Sequence, residues 1–292
     1  MKPYLATALW GHGSGFCFTT KPPPGVERLE QLQSRDPDDV LACVLANFQC
    51  GNFEVASALL PLMQRDESAY IWSAGANLLA HAAPQAEVRR FFDWAHGLPD
   101  DASRYEACAT ALIAGNLWAV DAALALHAEL SDPNLRQFLR ADLSWLLEAS
   151  TAEVFAGPAL QNASDEDEEQ PFSIEPRFDH AGYASSVLSI RDSIAAGFPP
   201  AAAVAEGAPI HVVDIAQRLL RQLGSEDASR ARLEHAWWMF GAITGVDCRA
   251  FFSDDGNLQR LSAAAIVEDY LDSFDAQFQP GVRYFFGHRI PD

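Results

Sequence analysis

Positive charge is what this sequence has least of. In 292 residues, 20 Lys and Arg stand against 40 Asp and Glu, a formal charge of −20. A nucleic-acid binder needs a basic surface to displace counterions from phosphate, so DNA and RNA are excluded as main partners. An anionic membrane surface is excluded on the same ground. Long apolar runs are missing as well. No stretch approaches the roughly 20 uncharged residues of a membrane span. The N-terminal apolar stretch, Leu5 to Trp10, ends at Gly11 and His12. A secretory leader needs roughly 7–15 such residues and a small-residue cleavage site, so none is expected. Cysteine is sparse and odd in number: Cys17, Cys43, Cys50, Cys108 and Cys248. Their wide spacing inside apolar helical runs points to reduced thiols in a cytoplasmic protein, not to a disulfide framework. Cys43 and Cys50, seven apart, fall on one helical face and are assigned to the core.

Metal-binding patterns are absent too. There is no His-x-x-x-His and no Cys-x-x-Cys. Asp179-His180 and Glu234-His235 are adjacent pairs. Neighbours on a helix point about 100° apart and cannot chelate together, so these histidines are expected to be surface or hydrogen-bonded groups. Asp254-Asp255 lacks the alternating acids and later Glu of a calcium loop and fits a helix cap better. Neither a metal nor a cofactor is expected. The most enzyme-like string is Gly11-His12-Gly13-Ser14-Gly15. It is not a nucleophile elbow, because His12 and Phe16 stand where glycines are required around Ser14. It is not a phosphate-binding loop, because no Gly-Lys-Ser/Thr follows. A tight turn explains it better than an oxyanion hole. Cys17 with His12 as its base is too little on which to assign a catalytic residue, and none is assigned.

What is present is apolar and helical. Hydrophobic residues make up 49% of the chain, with seven Trp and eighteen Phe, ample for a core. Residues 1–25 form an entry segment in which Phe16 to Thr20 is a candidate strand. Residues 26–156 are helical in pattern and repeat. Gly51-Asn52 and Gly115-Asn116 lie 64 apart. Val55, Val88 and Val120 follow successive breaks at spacings of 33 and 32. Asp36-Pro37 and Asp132-Pro133, 96 apart, are N-caps with Pro at the first helical position. Gly-Asn is a helix stop. Helices of about 13–16 residues joined by short turns make antiparallel neighbours. A period near 32 is that of an α-solenoid, although Pro37, Pro84 and Pro133 also fit a three-helix unit near 48.

Residues 157–176 hold three prolines and the acidic run Asp165, Glu166, Asp167, Glu168 and Glu169. That composition cannot bury enough surface to offset its ordering entropy, so it reads as a solvated linker. Residues 177–292 return to helical patterning, with helices over Ala184–Ala196, Ile210–Leu223, Ser225–Thr244 and Leu258–Phe278. The aromatic tail Val282–His288 is β-prone and needs a partner strand, for which Phe16–Thr20 is one candidate.

Pro84-Gln85-Ala86-Glu87-Val88-Arg89-Arg90 resembles the second-helix motif of HEAT-type repeats, and Asp132-Pro133-Asn134-Leu135-Arg136 echoes it. The resemblance covers roughly residues 36–156. In layout, and in residues such as Gly197, Pro199 and Gly245, the chain resembles bacterial HEAT-containing proteins associated with type VI secretion loci. The resemblance implies a curved helical array that binds another protein, and no catalysis.

The expected fold is therefore all-α: a HEAT-like α-solenoid of antiparallel helix pairs followed by a C-terminal helical module. The expected function is protein binding, as a bacterial immunity protein that neutralises a basic toxin. A secretion-system adaptor is the alternative, and an enzyme using the Gly11–Gly15 turn a second one. The expected partner contact is the acidic run Asp165–Glu169, which would steer a basic partner; Trp237 and Trp238, at helical spacing, read first as core and second as aromatic anchors for that partner.

Overall fold

The computed structural model describes residues 9–12, 15–18, 22–66, 68–147, 180–225, 230–253, 256–273 and 278–292. Among them the protein is all-α, with strand confined to three short antiparallel hairpins. No helix is long and apolar enough to cross a membrane among the described residues. The linker segment 157–176, with Asp165–Glu169, lies outside them.

Helix starts carry the repeat. α1 (Pro37–Gln49), α3 (Ala69–Ala82), α5 (Asp101–Ile113) and α7 (Pro133–Leu147) begin 32 residues apart. The Asp36 carboxylate accepts the Asp38 N–H at 3.0 Å, Asp100 accepts that of Ser103 at 2.7 Å, and Asp132 accepts that of Asn134 at 2.8 Å. Each bond satisfies a donor that the first turn leaves without a partner. The second helices are shorter than the pattern predicts: α2 (Leu59–Arg65), α4 (Gln85–Ala95) and α6 (Val120–Glu129). Single 3₁₀ turns precede two of them, at Glu54–Ala58 and Leu117–Ala119.

The first helices pack side by side in succession, α1 on α3, α3 on α5 and α5 on α7. Each is backed by its short partner, α2 on α3, α4 on α5 and α6 on α7. This packing follows a two-helix period, with the core between the layers. α8 (His180–Gly197) lies on α6 and α7. Its buried side chains, Tyr183, Val187 and Ile194, belong to this same core.

α1 and α5 end alike. Gly51 and Gly115 have φ of +81° and +84°. The Asn52 N–H reaches back to the Asn47 carbonyl at 2.9 Å, and Asn116 to Ala111 at 3.1 Å. This six-residue closure at a left-handed glycine is a Schellman stop, which explains why Gly-Asn recurs.

A second core gathers α9 (Val212–Gly224), α10 (Arg230–Thr244) and α11 (Arg260–Asp272), with α9 packed on both others. α10 also contacts α3, so the C-terminal helices fold back on the repeat layer. Two hairpins join the cores. β3 (Val204–Ala205) turns through Glu206 and Gly207 into β4 (Ala208–Pro209), and β5 (Tyr284–Phe285) turns through Phe286 and Gly287 into β6 (His288–Arg289). All four turn residues have positive φ, between 49° and 78°. These are two-residue turns with the twist of a hairpin.

Their tips cap helix ends. Glu206 and Gly207 N–H donate to the Trp145 and Leu146 carbonyls of α7, at 2.6 and 3.0 Å. Phe286 and Gly287 N–H donate to Ala242 and Ile243 of α10, both at 2.8 Å. The last carbonyls of a helix lack intrahelical partners, and a turn with two outward N–H groups supplies both.

Three expectations need correction. The aromatic tail does not pair with the described part of the expected strand, Phe16–Phe18. It closes on itself as β5–β6, while β1 (Leu9–His12) pairs with β2 (Gly15–Phe18). Cys50 is exposed at the end of α1, where the Schellman turn carries it off the face that buries Cys43. The fourth C-terminal helix spans Arg260–Asp272, shorter than Leu258–Phe278, because Leu258 bridges back to Phe252 instead of joining it.

Candidate functional site

The aromatic candidates lie in the second core. Trp237 is wholly buried and Trp238 is 5% exposed. Trp237 packs edge-on to Phe252 with centroids 5.1 Å apart. Neither ring can anchor a partner in this state, because α10 is covered by α9 on one side and α3 on another. The acidic run Asp165–Glu169 lies outside the described residues. Of the Gly11–Gly15 string, His12 and Gly15 form the last backbone pair of the β1–β2 hairpin, and Gly13 and Ser14 fall outside.

Where the two cores meet, the fold assembles a polar cluster. The buried Asp142 of α7 accepts the Tyr105 hydroxyl of α5 at 3.1 Å, and its other oxygen lies 3.2 Å from Nε2 of His235 on α10. Trp145, one turn after Asp142, stacks on that imidazole with centroids 5.4 Å apart and planes 21° apart. Burial, and then the nearby Asp142, push the Glu106 carboxyl up to about 7, although part of its own surface meets solvent. Burial pushes the Cys108 thiol up to about 12, which favours the protonated form at neutral pH.

His81, at the end of α3, is buried, and its imidazole is pushed down to about 3, first by burial and then by Arg283 and His235. Arg283 donates to the Ala83 carbonyl at 2.7 Å and the Ala80 carbonyl at 2.5 Å, at the C-terminus of α3. Burial lowers it to about 10, so it remains a cation at neutral pH, where the negative end of the helix favours one. Chemically the cluster is a latch. A carboxylate shared by a phenol and an imidazole ties α5, α7 and α10 together. No group of three or more His, Cys, Asp or Glu among the described residues is placed to hold a metal ion.

Asp142 and His235 are 93 positions apart, so no local pattern reveals the pair. One signal existed. Asp142 sits three residues after Leu139 and four before Leu146, on the apolar stripe of α7, where a carboxylate needs a partner.

A second concave feature is open to solvent. A cleft of about 350 Å³ lies between the Leu117–Ala119 turn, the end of α8 and the approach to β3. Leu117, Trp118, Phe198, Pro199, Pro200 and Val204 form its walls. The Trp118 indole N–H donates to Asn116 Oδ1 at 2.9 Å. Phe92 meets its ring edge-on at 5.1 Å, and the Arg89 guanidinium lies 4.0 Å above its centroid. At the rim, Arg191 donates to both Asp121 and Asp192, at 2.5 and 2.6 Å.

No protein-family model matches the chain, and neither does any curated protein or solved structure.

Proposed function

We propose that this chain is a protein-binding protein that neutralises a basic toxin or effector by direct contact, a bacterial immunity role carried out in the cytoplasm. The observation behind the reading is the charge of −20. Among the described residues, several guanidinium groups are engaged by the chain itself. Arg283 and Arg260 bind carbonyls at the ends of α3 and α9. Arg104 pairs with Asp101 and Glu129, Arg191 with Asp121 and Asp192, Arg218 with Glu206, and Arg249 with Asp247. The carboxylates outnumber what these cations can pair, so the net field outside the molecule is negative and favours encounter with a positive surface.

Stacked helix pairs at a period of 32, read as a HEAT-like solenoid, supply the extended surface such contact needs. The layout resemblance to proteins of type VI secretion loci fits this reading and that of a secretion-system adaptor alike. The test is capture of the partner from the native host, followed by co-expression with it. An immunity protein restores growth of cells that express the captured protein alone and die. An adaptor captures a harmless structural component and restores nothing, which would overturn the reading.

A further inference from the structure

We propose that the Trp118 cleft receives one apolar side chain of a basic protein segment, whose flanking arginines or lysines meet Asp121 and Asp192. The proposal rests on the reading of the chain as a binder of a basic partner and adds the place of contact.

Three features converge on it. The first is preorganisation. Trp118 is only half-buried, yet its ring is fixed by a hydrogen bond to Asn116, an edge-on Phe92 and the overlying Arg89. A side chain already held in place loses little freedom on binding, which is how a few aromatic residues come to dominate an interface. The second is the character of the walls. Leu117, Phe198, Val204 and two prolines line most of the cleft. A polar group set against those walls, away from Arg191 and Asp192 at the rim, would lose water without regaining hydrogen bonds, whereas an apolar one gains from burial. A volume of about 350 Å³ is at the small end of ligand pockets, enough for one large side chain.

The third is the rim charge. The Asp121 and Asp192 carboxylates are 64% and 68% exposed, and both share the single guanidinium of Arg191. One positive group between two negative ones leaves a net negative rim, and Arg89 is balanced separately by Asp93. An apolar anchor with cationic neighbours is therefore favoured, and an acidic segment is repelled.

The test uses the full chain and three fluorescein-labelled pentapeptides: Arg-Arg-Phe-Arg-Arg, Arg-Arg-Ala-Arg-Arg and Glu-Glu-Phe-Glu-Glu. Fluorescence anisotropy is read at low and at moderate salt. The Phe-centred basic peptide should bind about ten-fold more tightly than the Ala-centred one, and the acidic peptide should not bind. Ala195→Trp fills the cleft from its exposed edge and should abolish that advantage while leaving the melting temperature unchanged. Trp118→Ala should do the same if it folds. Asp192→Asn should weaken both basic peptides alike, mainly at low salt. Equal binding of the two basic peptides, or a Phe advantage that survives Ala195→Trp, would overturn the cleft and leave the basic-partner reading standing. If neither basic peptide binds, or the acidic one binds best, both fall.

Discussion

Glu106 sits where a carboxylate is least welcome, crowded by protein and beside the buried Asp142. Its ordinary value of 4.5 rises to about 7 in the fold. A raised carboxyl costs nothing below the unfolded value, and the penalty grows as pH climbs from there to the folded one. Above pH 7 it amounts to at most about 3 kcal/mol, less where solvent reaches the group. Glu106→Gln should therefore stabilise the protein at pH 8 by about 1–3 kcal/mol and have little effect near pH 4.5, read by urea denaturation. Equal effects at both pH values would show that Glu106 titrates normally.

His81 has the opposite sign. Buried and neutral, with its value lowered from 6.5 to about 3, it withholds a proton that the unfolded chain accepts. Its contribution is intact above pH 6.5 and is lost as pH falls toward 3. His127, lowered to about 4 by burial and then by Arg140, acts in the same direction. The melting temperature should fall between pH 6.5 and 4, and His81→Asn should flatten that fall whatever it does to the value at pH 8.

At the level of elements, the stops and caps hold the layers in register. A Cβ on Gly115 would lie 2.8 Å from the backbone nitrogen of Val204, whose N–H donates to the Gly115 carbonyl. The residue also has a left-handed φ of +84°. Gly115→Ala therefore meets both backbone strain and a clash with the first hairpin and should cost at least about 2 kcal/mol. Gly224, the last residue of α9, has no positive φ, and a Cβ added there would meet nothing within 4 Å. Gly224→Ala should be neutral or stabilising by up to about 1 kcal/mol. A chemical-denaturation comparison of the two variants checks the pair, and similar losses would show that the hairpin contact does not constrain Gly115.

For the molecule as a whole, the charge makes a kinetic prediction. Salt shortens the reach of the field to about 8 Å at physiological ionic strength. Association with the captured basic partner should slow about ten-fold between 20 and 200 mM salt, while dissociation changes far less. Stopped-flow or surface-plasmon measurements separate the two rates. Salt-independent association would remove the electrostatic basis of the proposed function. Trp237 and Trp238 do not enter this prediction, since their rings lie inside the second core.

The sequence by itself determined what depends on near neighbours. Asp36, Asp100 and Asp132 cap helices through bonds to residues two or three positions ahead, and Gly51-Asn52 and Gly115-Asn116 stop them through bonds five positions back. Such contacts are written in consecutive residues, so the helices were legible, while the choice between a period of 32 and one near 48 waited for the packing of α1, α3, α5 and α7 on one another. Tertiary structure alone decided the rest. Whether Trp237 faced solvent or core depended on α9 and α3 closing over α10. The Asp142–His235 contact joins positions 93 apart. The hairpins hid because Glu206 and Phe286 are poor residues for positive φ. They are held there by what the turns do for other elements, since their N–H groups satisfy the open carbonyls of α7 and α10, which no local pattern can announce.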